Sequence, residues 1–230
     1  MHLFYKPDLE ENSLLEGDEF HHCVKVLRHQ EGDKVYLTNG KGLMAEVRID
    51  SVTKWALQFS SIKETQNEPK PFRVHLFICP TKNFDRMEWM VEKAAEIQVD
   101  EITFMITQNS ERLKANMGRL EKKVVSALKQ SKGAWKTQLH ELKPYEKVFP
   151  ALEGPSFIAY VEEKQQLLSQ SIQTGTSVNL LIGPEGDFTP EEVQLAQSVG
   201  VVPVSLGQSV LRTETAGLLA CHTVNVFNSY

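Results

Sequence analysis

Apolar and polar positions alternate along the first part of the chain and fall at helical spacing further on. Residues 32–38, 44–49 and 55–59 place apolar side chains at every second position, the period of a half-buried strand. Asn39-Gly40, between the first two, is a strong tight-turn pair. Short strands at regular spacing predict a small β-barrel or sandwich, interrupted by one helix over about residues 18–27. Residues 64–71 are polar and punctuated by Pro69 and Pro71. They read as a boundary that divides the chain into residues 1–68 and 72–230.

Beyond that boundary the period changes. Residues 72–79 form a continuous apolar run of the buried-strand type, and Met87, Met90, Val91, Ala94 and Ile97 follow at helical spacing. A strand at 102–106, a helix near 120–130 and a strand at 157–160 continue the alternation. Two strand–loop–helix units of similar construction close it. In one, Leu180-Leu181-Ile182 breaks at Gly183; in the other, Val204-Ser205-Leu206 breaks at Gly207; each then reaches a threonine placed to cap a helix. Thr189-Pro190-Glu191-Glu192 is a complete helix start, with Thr189 as cap, Pro190 at the first helical position and Glu192 closing a capping box. The pattern predicts an α/β fold with a mostly parallel sheet covered on both faces. Its two glycine loops would share the edge where small ligands bind in such folds.

Composition narrows the class. With 41% hydrophobic and 24% charged residues among 230, the chain reads as a soluble globular protein. No apolar run approaches the roughly 18 residues of a membrane span, and the first residues carry no signal-peptide core. Cys23, Cys79 and Cys221 are odd in number and far apart, which points to a reducing cytoplasm and away from disulfides or a zinc site. His2, His29 and His140 show no ligand spacing, so no metal is expected. The formal net charge of −5 is unevenly spread. Residues 111–147 hold ten Lys/Arg and four Glu, leaving 15 basic and 26 acidic residues elsewhere. Such a segment can attract phosphates locally; a solvated helical face explains it equally well.

The chemistry is carried by the two loops. No G-x-x-x-x-G-K-[ST] occurs, and no G-x-G-x-x-G opens a helix after the first strand of a unit. A nucleotide held by its phosphates is therefore disfavoured. Glycines let a ligand approach the main chain closely, which suits an adenosine without phosphate, gripped by backbone and apolar groups.

Leu181-Ile182-Gly183-Pro184-Glu185-Gly186, with Leu206-Gly207 and Val210-Leu211-Arg212-Thr213-Glu214-Thr215-Ala216, resembles the cofactor-binding end of the SPOUT methyltransferases. More narrowly, the chain resembles the ribosomal RNA small subunit methyltransferase E family, which methylates N3 of a uridine in 16S rRNA. His22-x-x-Lys25-Val26-Leu27-Arg28 is similar to that family's N-terminal element. Residues 82–96, Ser110-Glu111-Arg112 and Gln130-Ser131 follow in the family's order. Asp187 stands where the family usually has glycine, and Lys132-Gly133-Ala134-Trp135-Lys136 stands where an arginine usually follows Gln-Ser. The resemblance implies an N-terminal PUA-like β-barrel domain for RNA and a C-terminal SPOUT α/β domain with a deep trefoil knot. It also implies S-adenosylmethionine (SAM) as cofactor, a homodimer, and 16S rRNA or the small ribosomal subunit as partner.

Site residues follow by position in that resemblance. Tyr160, Val161, Leu181, Ile182, Gly183, Pro184, Gly186, Ser205, Leu206, Gly207, Val210, Leu211, Arg212 and Thr213 would cradle SAM, with Glu162 a further candidate. Arg212 would stabilise charge developing on the uracil, and Glu214 or Glu185 would assist proton removal. Glu214 is equally explained as a first-turn acid favoured by the helix dipole, and Glu185 as a loop carboxylate bonded to backbone. His22, Lys25 and Arg28, expected on one face of one helix, would meet RNA, with Arg112 and Lys132 beside them; Arg112, Arg119, Lys122 and Lys123 form a second patch. Two readings from other classes stay open, a dinucleotide-dependent oxidoreductase and a non-catalytic RNA-binding module, as does a SPOUT methyltransferase acting on another RNA or another atom.

Overall fold

The structure is a computed structural model that describes residues 2–160 and 165–229. It divides into two compact units, Met1–Pro69 with Val125–Lys136, and Lys70–Val124 with Thr137–Tyr230.

Among its described residues the first unit holds five strands: β1 (Leu3–Tyr5), β2 (Leu14–Glu16), β3 (Lys34–Thr38), β4 (Leu43–Val52) and β5 (Ala56–Gln66). They pair in the order β1-β3-β4-β5-β2, with β1 parallel to β3 and the other pairs antiparallel. The inward positions of β3 and β4, Val35, Leu37, Ala45, Val47 and Ile49, close over Phe4, Phe20, Cys23 and Phe59. Among the described residues the expected barrel is not closed by hydrogen bonds: β1 and β2 are three-residue edge strands that do not pair with each other. The Asn39-Gly40 turn forms as expected. Asn39 Oδ1 accepts from the N–H groups of Lys41 (2.7 Å) and Leu43 (3.1 Å), and Gly40 takes φ +70°.

The expected helix over residues 18–27 is wound otherwise. One turn of α-helix, α1 (Gly17–Phe20), runs into a π-helical segment, His21–Val26, and the chain leaves it with Arg28 at φ +61°. Arg28 is therefore off the helix, and the one-face geometry expected for His22, Lys25 and Arg28 does not exist.

The second unit holds six parallel strands among the described residues: β6 (Val74–Ile78), β7 (Glu101–Ile106), β8 (Gln138–Pro144), β9 (Ser156–Ala159), β10 (Val178–Ile182) and β11 (Val202–Val204). Their order is β11-β9-β10-β6-β7-β8. The helices are α2 (Phe84–Glu96), α3 (Met117–Ser131, whose second half belongs to the first unit), α4 (Leu168–Ser171), α5 (Pro190–Ser198) and α6 (Thr213–Phe227). Strand alternation sorts the core. Phe77, Ile158 and Leu181 face Tyr145, Phe188, Val193 and Ala196. Leu76 and Ile78 face α6 instead, where a Cβ on Gly217 would lie 2.8 Å from Ile78 Cδ1. Gly217 thus permits close seating of α6 on β6.

Candidate functional site

β10 is buried throughout and ends at Gly183, against the ring of Phe188. A Cβ on Gly183 would sit 3.0 Å from two ring carbons, so a side chain there would press the Phe188 ring aside by a few tenths of an ångström. The turn is then fixed by local bonds. Asp187 N–H donates to the Pro184 carbonyl (3.0 Å), and Asp187 Oδ1 accepts from Phe188 N–H (2.8 Å). Asp187 takes φ +60°, a conformation that aspartate tolerates because its short side chain bonds locally. Asn109 Nδ2 holds the loop from outside, donating to the carbonyls of Gly186 (3.1 Å) and Asp187 (3.0 Å). The capping box expected at Thr189 is formed: Thr189 Oγ1 accepts from Glu192 N–H (3.3 Å), and Glu192 Oε2 accepts from Thr189 N–H (2.9 Å).

The second loop follows β11. Ser205 Oγ accepts from Gly207 N–H (3.2 Å) and donates to the Gly207 carbonyl (3.0 Å), while Gly207 takes φ +134°, a region costly for any side-chain-bearing residue. Thr213 is not the cap of α6. It is the first helical residue, and Arg212 occupies the cap position in extended conformation (φ −70°, ψ 152°) without a side-chain cap bond.

Because β9 lies between β10 and β11, the carboxyl ends of all three sit side by side. The breaks at Gly183 and Gly207 open into one cleft of about 770 Å3. Tyr160, Ile182, Gly183, Pro184, Glu185, Ser205, Leu206, Gly207, Val210, Leu211, Arg212 and Thr213 all line it. Leu181 does not: one residue before Ile182, it points to the opposite face and belongs to the Phe77–Phe188 core. Gly186 lies outside the lining, on the outer turn bonded to Asn109. Val161 and Glu162 lie outside the described residues. Ala159, Gln165, Leu167, Val204, Asp187, Gln208, Ser209 and Ala216 also line the cleft; the only signal for them in the sequence was nearness to the strand ends.

The acids behave differently from one another. Glu185 is exposed, and its Oε1 accepts from Lys82 N–H at 3.0 Å. Glu214 is 6% exposed and outside the lining, with Arg86 Nε 3.8 Å from its Oε1. Arg212 is exposed on the cleft wall.

Among the residues expected to meet RNA, Lys25, Arg28 and Lys132 are exposed, whereas His22 is half-buried with its ring edge-on to Phe4. Arg112 is half-buried in the second unit, where its Nε donates to the Lys82 carbonyl (3.3 Å) and its guanidinium lies over Phe84. Several cations of the basic segment are engaged with acids: Arg119 with Glu88 (2.6 Å), Lys123 with Glu92 (3.2 Å) and Lys129 with Glu19 (2.6 Å). The positive stretch in sequence is therefore partly neutralised in the fold.

A parallel sheet whose carboxyl-edge loops present glycine backbone and apolar side chains, without a phosphate-cradling motif, defines an α/β protein built for a small ligand held by its body. A family model described as an RNA methyltransferase domain matches residues 68–225, and one described as an RNA methyltransferase PUA domain matches residues 15–59. The chain belongs to this RNA methyltransferase family. A crystal structure of a Porphyromonas gingivalis protein described as a probable rRNA-methyltransferase is 38% identical, with a TM-score of 0.92, covering 100% of this chain and 99% of that one. The ribosomal RNA small subunit methyltransferase E of Neisseria gonorrhoeae, solved bound to SAM, is 25% identical with a TM-score of 0.86, covering 98% and 97%. The enzyme of the same name from Bacillus subtilis is 26% identical over 225 residues, 91% of this chain and 88% of its own length. Among the described residues, no helix is long and apolar enough to cross a membrane.

Proposed function

We propose that this protein is a SAM-dependent methyltransferase that methylates N3 of a uridine in 16S rRNA of the small ribosomal subunit. One observation carries the reading: in a chain of this family, the Gly183 and Gly207 loops line a single cleft. The residues fit the cofactor. Gly183 and Gly207 present bare backbone to the cleft, and Ile182, Leu206 and Leu211 offer apolar walls for an adenosine. When bound, SAM supplies a sulfonium methyl group open to in-line displacement.

The remaining work falls to the chain. Uracil N3 carries a proton and becomes nucleophilic only as that proton leaves. Arg212, on the cleft wall, stabilises the negative charge that develops on the flanking carbonyl oxygens. Glu185 takes the proton: Lys82 N–H engages one carboxylate oxygen and leaves the second for the base. Glu214, behind the wall, holds Arg86 in place. The N3–methyl bond forms as the methyl–sulfur bond breaks, and the proton passes to the carboxylate. Lys25, Arg28 and Lys132 contact rRNA phosphates, with His22 and Arg112 in support.

Three further parts of the reading rest on the family resemblance. The C-terminal segment threads as a deep trefoil knot. The protein is a homodimer, an assignment supported by exposed Trp89, Leu219, Val226 and Phe227 on α2 and α6. It works in the cytoplasm. The deciding experiment is mass spectrometry of nucleosides from 16S rRNA of cells with and without the gene. Loss of 3-methyluridine is expected; its persistence overturns the reading.

A further inference from the structure

A second cavity, of about 300 Å3, opens at the amino-terminal ends of β10, β6 and β7, on the sheet edge opposite the SAM cleft. It is lined by His75, Glu101, Thr103 and His140, together with the cations Arg73 and Lys143. Three adjacent parallel strands supply the first four. The register pairs His75 with Glu101 and Thr103 with His140, so all of these side chains project from one face of β6, β7 and β8. His140 Nε2 lies 2.8 Å from Glu101 Oε2, and His75 Nδ1 lies 4.0 Å from the same oxygen. One ligand atom from each of the three residues falls within 4.8 Å of the others.

We propose that His75, Glu101 and His140 form a binding site for one divalent transition-metal ion of the zinc class, which clips the edge strand β8 to β7 and β6. Two imidazoles and one carboxylate are a donor set suited to such ions, and three protein ligands leave a position for water. Ligands in a tetrahedral zinc shell stand about 3.3–3.6 Å apart, given bonds of about 2.0–2.2 Å. Small side-chain rotations therefore close the present spacing. The surrounding groups already orient the donors. Thr103 Oγ1 bonds His75 Nε2 at 2.8 Å, turning Nδ1 toward the carboxylate. Arg73 pairs with Glu101 Oε1, which leaves Oε2 facing both histidines. Arg73 and Lys143 oppose a cation here. Arg73 is 61% exposed, so its guanidinium has solvent to move into.

The test uses the full-length, tag-free protein stripped with chelator and titrated with Zn2+ by calorimetry and with Co2+ by visible spectroscopy. One equivalent is expected to bind, with Co2+ giving a d–d spectrum of mixed nitrogen and oxygen ligation. Saturating Zn2+ is expected to raise Tm by about 5–10 °C, the shift for a hundredfold excess over Kd in a chain of this size. His140→Ala and Glu101→Gln should keep the metal-free Tm near that of wild type yet lose the Zn2+-induced shift. Arg73→Ala should tighten the Kd several-fold by removing a competing cation. Absence of a Co2+ spectrum in the wild type, or retention of Zn2+ binding in His140→Ala, overturns the proposal. The SAM affinity is measured in parallel and is expected to be unchanged throughout, so this site and the methyltransferase reading stand or fall separately.

Discussion

Gly183 and Gly207 serve the same cleft for different physical reasons, and the difference is testable. At Gly183 the obstacle is space, because a Cβ would press on Phe188. At Gly207 the space is open and the obstacle is conformation, since φ +134° strains any residue with a side chain. In Gly207→Ala the exposed loop should relax away from that φ in the free protein, so that strain of about 1–3 kcal/mol returns only when the cleft is filled: SAM binding should weaken by about tenfold and Tm stay nearly unchanged, as calorimetry and a melting curve would record. Gly183→Ala should instead lower Tm, because it displaces a core ring. A second residue-scale prediction concerns the thiols. Burial pushes the pKa of Cys79 up to about 11 and those of Cys23 and Cys221 up to about 12, against 9.0 for the free group. Each folded-state value is raised, so the unfolded chain releases these protons first as pH climbs. The thiols' contribution to stability is therefore complete below pH 9 and declines toward pH 11–12, by at most about 1.4 kcal/mol per pH unit for each thiol. Urea midpoints measured across that window should fall less steeply in Cys221→Ala than in wild type. Equal slopes would refute the assignment.

Elements were legible where their pattern is local and their burial one-sided. The capping box at Thr189 is a four-residue signature, and the structure builds it with both reciprocal bonds. Thr189→Ala should cost about 1 kcal/mol, a Tm decrease of about 2–4 °C for a chain of this length; no measurable change would mean the box contributes nothing. The start of α6 offered no such signature, and Thr213 falls inside the helix rather than at its cap. β8 escaped notice because an edge strand buries little: Gln138, Glu141, Lys143 and Pro144 are exposed, leaving no alternation to detect. The π-helical winding of His21–Val26 is invisible to a periodicity argument that assumes 3.6 residues per turn.

At the scale of the molecule, sequence reading reached the composition of the cleft but not its cause. The strand–loop–helix repeat implied a parallel sheet with ligand loops at one edge, and the family resemblance supplied the cofactor. The strand order β11-β9-β10-β6-β7-β8 could not be read, because the crossover from β8 back to β9 is set by long-range packing. That crossover inserts β9 between the two glycine-terminated strands and makes one cleft of two loops. The same separation in sequence explains why His140 looked idle: its partners, His75 and Glu101, reach it only through pairing of three strands. The order makes a prediction about where ligand binding is felt. SAM contacts should protect the loops after β9, β10 and β11 and the first turn of α6, because the lining residues lie there and at the last position of each of the three strands. Hydrogen exchange with and without SAM should therefore show slower amide exchange across residues 183–189 and 205–216. Exchange in β3, β4 and β5 of the first unit should be unaltered, since none of their residues line the cleft. Protection centred on those strands, with the glycine loops unchanged, would place the cofactor elsewhere and break the link between this sheet order and methyl transfer.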